Sequence, residues 1–234
     1  MKSIIWKMNK KIILLIPILF IATGCSDVFQ LSPSEKVKSY GENYEIIGNE
    51  KEELLQDVSE TIFEHGDRSN SQAQEHHIPA LDVRETFSVP EGRYQITGNI
   101  TGNVYIHDDK GVLVYHNIVG SPYGVPAITL DIKDTYTITV DGFDQVAVIP
   151  IETQIQTELT AGIWEVGMDI EAGDYIITGP HGGIGYVQIL DTNDEAKVYE
   201  VFGGDFSSSN SHIQLKEGQI IRIIGISTVY FRAE

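Results

Sequence analysis

The sequence predicts an all-β protein of two tandem antiparallel β-sandwich, jelly-roll-like modules, preceded by a signal peptide, a flexible tether and one short helix. Three observations carry this. A stretch of about 70 residues reads twice. Both readings break into runs of five or six alternating or apolar residues rich in Val, Ile, Thr and Tyr, separated by turn signals. The front of the chain has the basic–apolar–small layout of an export signal.

In chain order, Lys2, Lys7, Lys10 and Lys11 form the basic start, and Ile12 to Ala22 is a continuous apolar run of eleven residues. Spanning a bilayer takes about 20 apolar residues, so this run is a leader rather than a membrane helix. Residues 1–24 are expected to be removed. Polar residues 25–79 are expected to form a tether, interrupted by one helix over about 50–65. There Asn49 and Glu52 form a capping pair, Leu54, Leu55, Val58, Ile62 and Phe63 share a face, and Gly66 stops the run. Packing of that face on the following domain is expected, because so short a helix is marginal alone. The adjacent His76 and His77 lie in the second polar stretch and are expected to be a solvated pair.

The repeat then begins. "EGRYQITG" (Glu91–Gly98) returns as "AGDYIITG" (Ala172–Gly179), and "GNVYIHD" (Gly102–Asp108) as "GYVQILD" (Gly185–Asp191). "VYHNIVG" (Val114–Gly120) returns as "VYEVFGG" (Val198–Gly204), and "IKDTYTITVDG" (Ile132–Gly142) as "LKEGQIIRIIG" (Leu215–Gly225). The modules are expected at 80–152 and 162–234, joined by a linker at 153–161, as two beads packed together rather than one shared sheet.

The only cysteine, Cys25, follows the apolar run after Thr23 and Gly24. "ATGC" resembles the lipobox of bacterial lipoproteins, with Gly24 before the cysteine and Ala22 where that family usually has Leu. The resemblance implies lipidation of Cys25, a membrane partner through the lipid, and a place on the outer face of the cytoplasmic membrane. A thiolate suits this chemistry as a nucleophile. With no second cysteine, the fold has no intramolecular disulfide. "GIWEVGMDIEAGDYIITG" opens the second copy. Its Trp164, Val166, Gly167, Asp169, Ile170, Gly173 and Tyr175 resemble a W-x-V-G-x-D-I-x-x-G-x-Y segment of lipoproteins of Gram-positive bacteria. That resemblance implies a β module in the cell envelope and says nothing of chemistry.

The formal net charge is −18, and removing the four leader lysines takes it to −22. Such a chain offers no basic face for nucleic acid and none for anionic headgroups. Positions shared by both copies, such as Tyr94 and Tyr175, are expected to serve the fold. The copies differ in the loops "SPYGVPA" and "DFSSSNS", whose aromatics Tyr123 and Phe206 are the binding candidates, with Trp164 as a third. The partner expected is a cell-wall glycan or a surface protein; a structural spacer or envelope-assembly lipoprotein without a small ligand is the alternative, and a secreted hydrolase ranks below both. No cofactor is expected beyond weak Ca²⁺ at Asp191, Asn193 and Asp194, a D-x-N start that lacks the EF-hand glycine and reads more simply as a hairpin turn. "GPHGGIG" lacks the Lys-Ser/Thr of a phosphate loop, and no nucleophile motif is present, so no enzymatic activity is expected.

Overall fold

The computed structural model describes residues 33–55, 58–79 and 84–234. The leader and Cys25 lie outside the described residues. Two short helices, α1 (Pro33–Asn43) and α2 (Asn49–Leu55), flank a two-residue strand β1 (Glu45–Ile46), and a 3₁₀ turn follows at Glu60–Phe63. The first module comprises β2 (His76–Ile78), β3 (Glu85–Phe87), β4 (Gly92–Asn99), β5 (Gly102–His107), β6 (Leu113–Val119), β7 (Ala127–Ile132), β8 (Thr137–Asp141) and β9 (Gln145–Pro150). The second comprises β10 (Glu158–Glu165), β11 (Gly173–Thr178), β12 (Ile184–Leu190), β13 (Lys197–Phe202), β14 (Ser211–Leu215) and β15 (Ile220–Ala233).

Period-two alternation builds the cores. In β5, Val104 and Ile106 are buried while Asn103, Tyr105 and His107 stay half-exposed. In the first module, β2-β9-β4-β7 faces β3-β8-β5-β6 around one apolar cluster that includes Tyr94, Ile128 and Ile138. The second module encloses a separate cluster around Trp164, Ile177 and Ile223. Its strands pair in the same pattern. β4 lies between β7 and β9, as β11 lies between β14 and the end of β15. β5 lies between β6 and β8, as β12 lies between β13 and the start of β15. The difference is fusion: β15 runs through where β8 and β9 are separate, and β10 pairs with both its halves.

The two modules are not separate beads. β10 meets β7 in parallel at Gly162↔Thr129, so one 11-stranded sheet crosses both, within a compact unit Leu31–Glu234. The reason is edge chemistry. β7 and β10 each present an unpaired edge, and joining them satisfies backbone groups that otherwise invite a foreign strand. The expected linker 153–161 is correspondingly shorter, since β10 begins at Glu158 and Leu159 and Ala161 are buried.

The segment before the modules is more structured than a tether. β1 adds to the edge of β13 through Glu45↔Tyr199 and Ile46↔Val198. The Asn43 side chain accepts from His212 N–H at 2.6 Å and donates to the His212 carbonyl at 2.8 Å, mimicking a strand partner for β14. The second polar stretch yields β2, where His76 stacks on Phe87 with ring centroids 4.5 Å apart, so only His77 of that pair is solvated. The single helix expected over 50–65 is instead α2 plus the 3₁₀ turn. Between them Ser59 is anchored: its N–H donates to Leu113 O at 2.8 Å and its hydroxyl to Asp108 Oδ2 at 2.5 Å. This long-range tie has no helical period to announce it. Most of the predicted apolar face does pack at home, as Leu55, Val58, Ile62 and Phe63 meet Leu190 and Ile220, while Leu54 lines an open groove instead.

Candidate functional site

Three kinds of site were expected: loop aromatics, the tryptophan, and a carboxylate turn. The tryptophan is placed elsewhere than expected. Trp164 is 3% exposed, its indole N–H donates to Thr160 O at 2.7 Å, and the Arg93 guanidinium lies 4.7 Å from its ring centre. It is therefore a core residue and presents no binding surface. β10 carries core side chains on both faces: Trp164 packs in the cluster of the second module and Ile163 against that of the first.

The loop after Trp164 is held by its own polar groups. Glu165 N–H donates to Asp169 Oδ2 at 2.8 Å, Asp169 N–H returns to Glu165 O at 2.9 Å, and Gly167 N–H reaches Ile170 O at 2.7 Å. Gly167 sits at φ +95°, where a Cβ would lie 2.0 Å from Glu217 Oε1. Tyr175 closes the segment by donating to Glu171 O at 2.9 Å, and Tyr94 makes the matching bond to Pro90 O at 2.8 Å. Both tyrosines serve the fold, as their recurrence implies.

Asp169 also completes a ring of alternating charge at the junction of the modules. Arg68 Nε contacts Asp131 Oδ2 at 2.8 Å and Arg68 Nη1 contacts Asp169 Oδ2 at 3.0 Å. Arg93 Nη1 contacts Asp131 Oδ1 at 2.8 Å and Arg93 Nη2 contacts Asp169 Oδ1 at 3.0 Å. The two contacts to Asp169 are ion pairs out of hydrogen-bond alignment. Glu165 joins at 3.5 Å from Arg68, and His65 lies 3.1 Å from Glu165. Burial pushes the Asp169 carboxyl up, and the two guanidiniums hold that rise back. Burial works against the Arg68 cation, but Asp131 and Asp169 outweigh it and raise its pKa. The two guanidiniums balance Asp131 and Asp169, so the ring ties the polar loop, β4, β7 and the turn after β10 together, while Glu165 beside His65 sits at its edge. Sequence reading missed it because its members come from a polar loop, two strands and a turn that are far apart in the chain.

The two loop aromatics stand apart from this. Tyr123 is 86% exposed and Phe206 fully so. Both loops are tied down beneath the ring they present. Around Tyr123, Gly124 N–H donates to Gly120 O and Val125 N–H to Ile118 O, at 2.8 and 2.9 Å, while Tyr123 N–H reaches Thr101 Oγ1 at 3.1 Å. Around Phe206, Gly182 N–H donates to Gly203 O at 2.7 Å and Ser209 N–H to Phe202 O at 3.0 Å, and His181 pairs with Asp205 at 2.7 Å. Asp191 forms a turn: its carboxylate accepts from Asn193 and Asp194 N–H and from the Gln219 amide, which lowers its pKa, and Asp194 pairs with Lys216. Among the described residues, no group of three or more His, Cys, Asp or Glu side chains is poised to hold a metal. Comparison with known proteins returns no matching family model, curated protein or solved structure.

Proposed function

We propose that this chain is a lipid-anchored extracytoplasmic protein that binds a neutral cell-wall glycan, without chemistry, through the loops bearing Tyr123 and Phe206. One observation carries the reading: two aromatic rings stand almost wholly in water on loops whose backbones are already tied. An aromatic face attracts the C–H side of a pyranose through its quadrupole. Around Phe206 the polar His181, Asp205, Ser207, Ser208 and Asn210 can hydrogen-bond hydroxyls. A net charge of −18, or −22 without the leader lysines, disfavours anionic polymers and leaves neutral ones.

The two modules are duplicates of one unit whose shared positions keep the fold and whose loops have diverged. Matched strand pairing supports this, as do the glycines Gly142 and Gly225, at φ +87° and +77°, on the equivalent bend. Cys25 holds the unit at the outer leaflet through a thioether to a diacylglycerol. Two acyl chains meet the condition for stable anchoring. Mass spectrometry of protein from its native host should find that sulfur carrying a diacylglyceryl group and residues 1–24 gone; a bare sulfur or a retained leader overturns the anchor but leaves the loops untouched.

Binding is checked by retention on purified cell-wall sacculi. Each ring contributes about 1 kcal/mol, so Tyr123→Ala with Phe206→Ala should weaken retention roughly thirtyfold. Unchanged retention by the double variant removes the loops from the reading and leaves a spacer. Binding to a surface protein, but not to sacculi, replaces the glycan.

A further inference from the structure

A different surface carries a second binding site. α1, β1 and α2 do not close on the second module. They leave an open groove of about 700 Å³ walled by Val37, Tyr40, Ile46, Ile47, Leu54 and Tyr186. Val37 is 72% exposed at its rim, and Tyr40 is exposed too. The groove is built rather than incidental. The Tyr40 hydroxyl donates to Glu200, and Tyr44 joins Tyr40 to Phe202 through edge-on ring contacts at 5.6 and 5.3 Å. Lys36 bridges α1 to α2 through Glu50 at 2.9 Å.

The rim charge selects the occupant. Among the described residues, Lys36 is the one cation lining the groove and is engaged by Glu50, while Glu45 and Glu53 make no ion pair. An occupant must therefore bury apolar side chains and bring positive charge beside them. Anionic headgroups are repelled by such a rim. Two helices, α1 and α2, supply much of the wall and present side-chain ridges, a geometry that receives another helix. At ~1.5 Å per residue α1 is ~16 Å long, room for apolar residues at i, i+3 or i+4, and i+7 of a partner.

We propose that this groove docks the apolar face of a basic amphipathic helix of a partner protein. The site is independent of the Tyr123 and Phe206 loops and of the lipid.

The test uses the compact unit Leu31–Glu234 and a fluorescent amphipathic helix of leucine and lysine, followed by anisotropy. Saturable binding is expected. Val37→Asp should weaken it about tenfold, the worth of one buried valine, although the variant makes the chain more acidic. Glu53→Lys should weaken it as well, and a leucine–glutamate helix should bind at least about tenfold less tightly. Both substituted positions are exposed, so both variants should melt as the parent does. Equal or tighter binding by Val37→Asp overturns the proposal, because it marks mere attraction of a polycation to an acidic chain. Equal binding of the acidic helix overturns it too. Val37-dependent binding to phosphatidylcholine vesicles in place of the helix assigns the groove to lipid and overturns it likewise.

Discussion

Gly162→Ala should uncouple the two modules and lower stability by about 2–6 kcal/mol, the combined range for a forced backbone conformation and an overpacked contact. Gly162 sits at φ +143°, which side-chain-bearing residues rarely adopt, and it is the residue through which β10 touches β7. A Cβ there would lie 1.9 Å from the Thr129 carbonyl oxygen and 2.8 Å from the carbon and nitrogen of the same residue. Backbone cannot rotate away as a side-chain tip can. The sheet must part at this point, and the edges of β7 and β10 then lose their partners. Gly111→Ala is the comparison. Gly111 is at φ +77° with nothing within 4 Å of the added carbon, so it bears only the conformational cost, about 1 kcal/mol. Urea unfolding followed by tryptophan fluorescence and by circular dichroism reads the difference. The parent should unfold in one transition by both probes, and Gly162→Ala in two, because each module keeps its own apolar cluster. A single transition with an unmoved midpoint would show that the parallel contact does not hold the modules together.

That joint marks the limit of what the residues disclose before folding. Alternation in "NVYIH" and "TYTITV" discloses strands, and the doubled "GxYxITG" discloses that strand pairs recur. Gly162 reads only as the first residue of the second copy, and nothing local says that its missing side chain admits another strand. The same holds for the polar stretches. "DRSNSQAQEHH" has the composition of a linker, yet Arg68 from it closes the charge ring and His76 stacks on Phe87. Both are long-range contacts, and period and propensity describe only neighbours in the chain. Among the aromatics, Tyr123 and Phe206 lie in loops where the copies diverge, and both are exposed. Trp164 lies within a strand carrying core side chains on both faces and is buried, a distinction set by sheet order rather than by residue type. The groove between α1 and α2 was illegible for a similar reason: α1 has no strong apolar period, and its apolar residues acquire meaning only opposite Leu54 and Tyr186.

Asp169→Asn should cost about 3–5 kcal/mol, the usual consequence of removing one member of a buried ion pair. The substitution is nearly isosteric. Its amide oxygen can still accept the Glu165 N–H, so the turn after Trp164 keeps its bond and the loss reports charge. Asp169 is 0% exposed and Arg93 1%, and Arg93 is held over the Trp164 ring, so although it keeps Asp131 its guanidinium cannot turn to water when Asp169 is neutralised. Arg68 is less deeply buried, keeps Asp131 and Glu165, and can shift outward. A double-mutant cycle should therefore give a larger coupling for Arg93 with Asp169 than for Arg68 with Asp169, although both contacts measure 3.0 Å. Replacing the inner pair together, Arg93→Met with Asp169→Leu, should recover much of the stability lost by either change alone, because a buried pair repays its desolvation only partly. If both couplings are equal, or Asp169→Asn leaves the urea midpoint where it was, the ring does not lock the junction and the shared sheet alone must hold the modules.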